Sequence, residues 1–141
     1  MRAEVAVTIR RTPEEVFTYI TDLENAPRWA PVKEMRQLSE GPVGMGSQLV
    51  QVITFMGQSF ESKTEVTGYD PPEVFTFKST SGPILFEQLF TLSPIEEGTQ
   101  LEVVLEGEPG GFFKLAQPLI APAAQKQLHE QVDKLKQLLE Q

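Results

Sequence analysis

Residues 59–80 read SFESKTEVTGYDPPEVFTFKST, and this stretch decides the fold. Its first half carries a charge at every second position, at Glu61, Lys63 and Glu65. Because successive side chains of a β-strand point to opposite faces of a sheet, these charges face solvent and the residues between them face inward. The turn Asp70-Pro71-Pro72-Glu73 leads straight into a second alternating segment, so the stretch predicts two antiparallel strands.

The same pattern repeats on both sides of this stretch. Turn residues at 41–46, 81–83 and 96–99 separate further alternating segments, and no helix of 10–15 residues lies between them. This spacing excludes a doubly wound α/β fold and favours an antiparallel sheet. Strands are predicted over residues 32–38, 47–56, 59–69, 74–80, 84–92 and 100–106, after a first strand in which Val5, Val7 and Ile9 share one face.

The inner face of the predicted sheet is rich in phenylalanine. Outward-facing charges in each strand send inward a set made of Phe60, Ser62, Thr64, Phe75, Phe77, Ser79, Phe86, Gln88 and Phe90. The register of the 47–56 strand stays open, because Leu49 and Ile53 compete with Val50 and Val52 for the inner face.

Helices are predicted before and after the run of strands that spans residues 32–106. Thr12-Pro13-Glu14-Glu15 combines an N-cap hydroxyl, a proline in the first turn and a glutamate placed for a capping box. A second short helix covers 25–31, and residues 112–141 form a helix that Pro118 and Pro122 interrupt. The regular part begins at Pro122, and its apolar stripe consists of Ala121, Leu128, Val132, Leu135 and Leu139.

Length, net charge and amino-acid composition indicate which classes of protein this chain can belong to. The 141 residues suit a single domain, 1–141, and a net charge of −8 opposes binding to nucleic acids. The chain has no cysteine, no secretory signal at its start and no apolar run of about 20 residues. We therefore expect a cytoplasmic protein without stable insertion into membranes.

Catalytic and metal-binding motifs are weak. His129-Glu130-x-x-Asp133 is a degenerate zinc signature, but His129 is the only histidine, and a surface His–Asp pair explains it better. A Gly-x-Ser-x-Gly nucleophile motif is absent from the sequence. We expect no metal and no cofactor, and the sequence favours a binding protein over an enzyme.

Simple geometry predicts a cavity. Seven strands at about 4.8 Å spacing span roughly 33 Å, whereas a helix is only about 10–12 Å across, so one helix cannot fill the concave face. We expect a ligand cavity lined by Trp29, Phe60, Ser62, Thr64, Phe75, Phe77, Ser79, Phe86, Gln88, Phe90, Phe112, Leu115 and Leu119. Residues 112–121 would lie over its mouth, and a role as a gate is a hypothesis.

The phenylalanines allow a second interpretation, as ordinary packed core. Truncating a packed phenylalanine costs about 3–5 kcal/mol, whereas truncating one that lines an existing cavity costs less. If the cavity interpretation holds, Phe77→Ala and Phe90→Ala should therefore lose little stability.

Several segments together resemble a known superfamily. They are the stretch 12–17, Trp29-Ala30-Pro31, the glycine-rich loop 41–47, the turn 69–72 and the C-terminal helix. In these the chain resembles the START-related, birch-pollen-allergen-like (SRPBCC) superfamily, in its polyketide cyclase/dehydrase-like branch. The resemblance implies an α+β helix-grip fold: a seven-stranded curved antiparallel sheet wrapped around a long C-terminal helix, with two short helices after the first strand.

The resemblance also implies a function for the cavity. Our first hypothesis is binding of a hydrophobic small molecule, such as a lipid, polyketide or quinone, for transport, sequestration or sensing. The alternative is a polyketide cyclase or dehydratase that uses the same cavity, with Ser62, Ser79 or Gln88 orienting a carbonyl. The ligand and the choice between monomer and homodimer stay open.

Overall fold

The computed structural model describes residues 1–110 and 112–141, apart from the side chains of residues 109, 112 and 113. Its strands are β1 (Arg2–Ile9), β2 (Val32–Gln37), β3 (Gln48–Phe55), β4 (Gln58–Asp70), β5 (Val74–Ser81), β6 (Ile84–Ile95) and β7 (Gly98–Pro109). Its α-helices are α1 (Pro13–Thr21), α2 (Ala26–Trp29), α3 (Phe112–Leu115) and α4 (Gln117–Leu139), and a 3₁₀ turn spans Leu23–Asn25.

The strands form one antiparallel sheet in the order β1-β7-β6-β5-β4-β3-β2. Helix α4 is hydrogen-bonded to both sides of this sheet. The Gln125 side chain donates to the carbonyl of Glu4 in β1, and the Gln127 side chain donates to the carbonyl of Thr54 in β3. The helix therefore lies in the trough of the sheet, which confirms the predicted helix-grip fold.

The predicted strand faces agree with the burial of the side chains. Phe75, Phe77 and Phe90 are buried, whereas Glu61 and Lys63 are exposed. The open register of β3 is set by its pairing with β4. Gln51 lies opposite Ser62 and Ile53 opposite Phe60, so Leu49, Gln51, Ile53 and Phe55 share the inner face.

Strands β6 and β7 are longer than predicted and meet at a two-residue turn, because Ile95 pairs with Gly98. Pro94, which lies beyond the predicted end of the strand at residue 92, lies inside β6. It is accommodated because β5 pairs with β6 only up to Thr91, so Pro94 has a neighbouring strand on one side alone and its missing N–H is not needed.

Register shifts between β4 and β5 bend the middle of the sheet. They fall between Lys63 and Thr64 and between Val66 and Gly68. Bulges of this kind increase local twist and curvature. They help the sheet to close around α4.

Helix α1 begins with the predicted capping box. The Thr12 hydroxyl accepts a hydrogen bond from the backbone N–H of Glu15, and the Glu15 carboxylate accepts one from the backbone N–H of Thr12. This second hydrogen bond is the main cause that lowers the pKa of Glu15, with smaller contributions from the Thr12 hydroxyl and Arg11.

The lowered pKa predicts a pH-dependent contribution of Glu15 to stability. A carboxyl whose pKa is lower in the folded state stabilises the protein above its unfolded pKa and stops doing so as pH falls through the folded pKa. In urea unfolding, Glu15→Gln should reduce the free energy of unfolding at pH 7, and the difference from the parent protein should shrink below about pH 4.3. Glu14→Gln, which removes a charge from the same turn without breaking the capping box, is the control. A difference that stays constant down to pH 3 would contradict the prediction.

Helix α4 begins earlier than predicted, at Gln117 instead of Pro122. Pro118 lies in its first turn, where backbone N–H groups have no intrahelical partner, so its ring is tolerated there. The predicted position of Ala121 on the buried stripe is wrong, because Ala121 is exposed. Ile120 and Ala124 take that place, four residues apart and in line with Leu128. Among the described residues, no helix combines the length and the apolarity needed to cross a bilayer.

Candidate functional site

A cavity of about 90 Å³ lies between α4 and the concave face of the sheet. Its walls come from α4, from α2 with the residues that follow it, and from the inner faces of β2–β7. Ala124 and Leu128 form the helix side, and Phe75 and Phe90 form the floor. The trough is therefore mostly filled by its own side chains, and a smaller space remains than the sequence-based geometry suggests.

The cavity opens toward one end of the sheet. Its half-buried wall residues include Ile53, Phe60 and Phe86, which lie near the end of β3 and the beginnings of β4 and β6. Because the strands are antiparallel, β3 ends where β4 begins, with Ile53 opposite Phe60. The deep walls, by contrast, are almost inaccessible: Phe75 and Phe90 are each 1% exposed.

Aromatic rings pack against one another along the deep wall. Phe75 stacks on Phe90 with ring centroids 6.1 Å apart, and Trp29 meets Phe90 edge-on at 5.9 Å. Phe77 contacts Phe90 at 6.3 Å and Phe86 at 6.4 Å. Tilted and edge-on contacts at these separations are favourable ring geometries. The rings are thus both packed core and cavity wall, so the two interpretations of the sequence meet in the same residues.

The structure brings seven of the thirteen predicted site residues together on the cavity wall. They are Trp29, Phe60, Phe75, Phe77, Phe86, Gln88 and Phe90.

The three predicted hydroxyl residues are buried but are not part of the cavity wall. The Ser62 hydroxyl donates to the carbonyl of Ser81 at 3.2 Å, and the Ser79 hydroxyl accepts from the backbone N–H of Phe86 at 2.7 Å. Both therefore satisfy the backbone around the β5–β6 turn. Thr64 is also buried, and its hydroxyl has no hydrogen-bond partner within the described part of the chain.

Two of the predicted wall residues in the segment 112–119, Leu115 and Leu119, do not line the cavity. Leu115 is 88% exposed and Leu119 is 62% exposed, so the prediction that they line the cavity is wrong. The reason is the early start of α4, which places Ile120 on the buried side and turns Leu119 outward. The side chain of Phe112 lies outside the described residues. No described contact supports a gate.

Met1, with its N-terminal ammonium group, is the one source of formal charge among the described wall residues. Within the described residues, no Asp, Glu, Lys, Arg or His side chain lines the cavity. The amino group of Met1, whose residue touches the cavity, donates to the carbonyl of Gly107 at 2.9 Å. Polar groups on the wall are instead amides and one indole, from Gln51, Gln88, Gln127, Gln131 and Trp29.

Groups with displaced pKa values lie away from the cavity. The carboxylate of Glu4 accepts a hydrogen bond from Arg2 and raises the pKa of Arg2. At the end of α4, the backbone N–H of Arg10 and then the side chain of Lys136 lower the pKa of Glu140. Arg2, Glu15 and Glu140 are not among the described wall residues, so the wall side chains offer shape and hydrogen bonding rather than charge.

A family model described as polyketide cyclase/dehydrase and lipid transport matches residues 1–140. The chain belongs to this family. The match covers nearly all of the sequence, and it confirms the resemblance drawn from the motifs. No curated protein matches the chain.

Solved structures support the same fold for this member of the polyketide cyclase/dehydrase and lipid transport family. A protein from Thermus thermophilus is 21% identical, with a TM-score of 0.84 and coverage of 99% of this chain and 97% of that one. A START superfamily protein from Mycobacterium smegmatis is 22% identical, with a TM-score of 0.81 and the same coverage of both chains. At these identities the likeness concerns the fold alone.

Gln51 lines the cavity of this family member, but the sequence patterns did not predict it as a wall residue. It was missed because the register of its strand was left open. The outward charges of β4 place Ser62 on the inner face, and the short turn after Phe55 fixes the pairing of β3 with β4. Counting back from that turn places Gln51 opposite Ser62, so the signal was present in the sequence.

Proposed function

We propose that this protein binds a compact, uncharged, apolar molecule in the cavity beneath α4. The observation that carries the proposal is the wall itself: packed aromatic and aliphatic side chains that enclose a space with no charged side chain in the described structure. Ligand sites are typically concave and mostly apolar, with a few polar groups that fix orientation. The family's description, which includes lipid transport, agrees with an apolar ligand.

The volume of the cavity limits the size of the ligand. Pockets for drug-sized ligands usually measure about 300–1,000 Å³, and an apolar cavity of about 150 Å³ holds one benzene ring. A space of about 90 Å³ therefore suits a single ring whose edge reaches the half-buried mouth near Phe60 and Phe86. A long acyl chain would have to displace packed rings such as Phe75 and Phe90.

Titration with toluene tests the proposal. Trp29 is the only tryptophan and part of the wall, so its fluorescence, excited at the red edge of its absorption, reports occupancy. We expect a saturable change with toluene and a weaker response to palmitate at the same free concentration. Native mass spectrometry of freshly purified protein tests independently for a retained small molecule. Absence of saturable toluene binding together with absence of a retained ligand would refute the proposal.

Filling the cavity should abolish binding. Ala124 is 2% exposed and faces the cavity from α4, so Ala124→Leu places extra side-chain atoms in the space that toluene would occupy. We expect toluene affinity to fall at least about tenfold, while stability changes by less than about 1.5 kcal/mol because the added atoms enter an existing void. Ala121→Leu on the exposed face of the same helix is the matched control. Unchanged affinity in Ala124→Leu would place the ligand elsewhere.

The alternative of a cyclase or dehydratase rests on the family's description. Its candidate groups included Ser62 and Ser79, whose hydroxyls are hydrogen-bonded to backbone groups outside the cavity wall. Gln88 is the one candidate on the wall. No contact within the described structure favours turnover over binding.

A further inference from the structure

Two hydrogen-bond donors on the cavity wall have no partner. The indole nitrogen of Trp29 and the side-chain amide nitrogen of Gln51 are both buried, and neither makes a hydrogen bond in the described structure. Trp29 is 6% exposed and Gln51 is 5% exposed, and both residues line the same cavity. They approach it from different elements, since Trp29 ends α2 and Gln51 lies in the middle of β3.

Unpartnered buried donors are unusual, because each one loses its hydrogen bonds to water without replacement. The loss is unfavourable for each of the two groups. The large majority of buried side-chain polar atoms in proteins have a partner, so two orphaned donors on one small cavity call for an explanation. A ligand with a matching acceptor supplies one.

The chemistry of the two groups restricts the ligand. An indole N–H only donates, and an amide nitrogen donates through two hydrogens, so both require an acceptor. A carboxylate acceptor is disfavoured, because the described wall holds no cationic side chain, the Met1 ammonium already donates to the carbonyl of Gly107, and an unpaired buried charge is costly. The net charge of −8 also repels anions at long range. A neutral oxygen atom accepts hydrogen bonds, brings no unpaired charge into the cavity and is not repelled by the net charge of the protein.

We propose that the ligand is a compact, uncharged molecule with a carbonyl group, and that this carbonyl accepts hydrogen bonds from Trp29 Nε1 and Gln51 Nε2. The inference rests on the proposed function and adds to it the polar group of the ligand and the two residues that recognise it. The aromatic walls bind the ring, and the two donors select the carbonyl. Ligands that lack an acceptor leave both donors orphaned and bind more weakly.

Acetophenone and ethylbenzene provide the test, because they have nearly the same shape and differ by a carbonyl in place of a methylene. One net hydrogen bond is worth about 0.5–1.5 kcal/mol, so acetophenone should bind roughly two- to tenfold more tightly. Benzoate, the charged analogue, should show no saturable binding. Affinities are measured by NMR titration of the ¹⁵N-labelled full chain.

The indole N–H of Trp29 gives a direct readout, since the single tryptophan contributes a single indole cross-peak. Acetophenone should move this peak downfield and slow its exchange with solvent, as a newly formed hydrogen bond does. Ethylbenzene should not do so. A peak that responds identically to both probes would refute the assignment.

Gln51→Leu removes one donor and keeps a side chain of similar size. The preference for acetophenone should fall at least twofold while ethylbenzene binds as well as before or better, and stability should not drop because an orphaned donor has been removed. Trp29→Phe, which keeps an aromatic ring without the N–H, should have the same effect on selectivity. Gln48→Leu, the same substitution on the exposed face of β3, is the matched control.

The outcomes separate the two proposals. If neither acetophenone nor ethylbenzene binds up to its solubility limit, the proposed function fails and this inference fails with it. If both bind equally well and Gln51→Leu changes nothing, the cavity binds ligands by shape alone, the two donors serve bound water, and only this inference is overturned.

Discussion

Replacing Phe90 by alanine should lower the free energy of unfolding by about 3–5 kcal/mol, as expected for truncation of a packed aromatic side chain. Phe90 is 1% exposed and its ring contacts Phe75, Phe77 and Trp29. Removing it takes one aromatic neighbour from each of these three rings. Urea unfolding at pH 7 gives the value directly.

Phe86→Ala is the matched control for this prediction. Phe86 is half-buried at the mouth of the same cavity and contacts Phe77, so its truncation should cost clearly less than that of Phe90. The expectation reverses the sequence-based prediction that Phe90→Ala would lose little stability. Equal, small losses at both positions would restore that prediction and indicate a larger cavity than the structure has.

Gly98→Ala should destabilise the protein by at least about 3 kcal/mol. Gly98 follows the two-residue turn between β6 and β7 with φ at +142°, a region almost restricted to glycine, which costs other residues about 1–3 kcal/mol. A Cβ at this position would also clash with the carbonyl oxygen of Ile9 and come within 2.8 Å of that of Arg11. Both are backbone atoms and cannot rotate away.

The control for Gly98 is Gly44→Ala in the glycine-rich loop. A Cβ at Gly44 would meet nothing within 4 Å, and its φ does not lie in the positive region. We expect a change within about 0.5 kcal/mol, measured by thermal and urea unfolding. Similar losses at both positions would mean that glycine content, rather than the clash with Ile9 and Arg11, determines stability here.

The fold followed from local patterns that depend on few long-range contacts. Alternation around Glu61, Lys63 and Glu65 assigned the faces of β4, and the capping box at Thr12 and Glu15 located the start of α1. The predicted interruption of the C-terminal helix at Pro118 is wrong, because whether a missing N–H matters depends on which neighbour would accept from it. That neighbour is set by tertiary structure.

The site was predicted less completely than the fold. Periodicity places Ser62 and Ser79 on the inner face, but it does not show whether a buried hydroxyl faces a cavity or a backbone carbonyl. Nor does it give the volume that remains after Phe75 and Phe90 have packed together. The width of the predicted sheet alone suggested a large cavity. The volume of the cavity, however, depends on the rotamers that the aromatic side chains adopt.

The hydrogen bonds of α4 to the sheet are unevenly distributed, and this bears on how a ligand would exchange. On the β1 side, the side chains of Gln125 and Lys136 donate hydrogen bonds to backbone carbonyls of β1. The carboxylate of Glu140, just after α4, accepts a hydrogen bond from the backbone N–H of Arg10. Toward the opposite edge, the described side-chain bonds reduce to that of Gln127 with Thr54. If α4 and the sheet separate to admit a ligand, the side next to β3 therefore has fewer described side-chain hydrogen bonds to break than the side along β1.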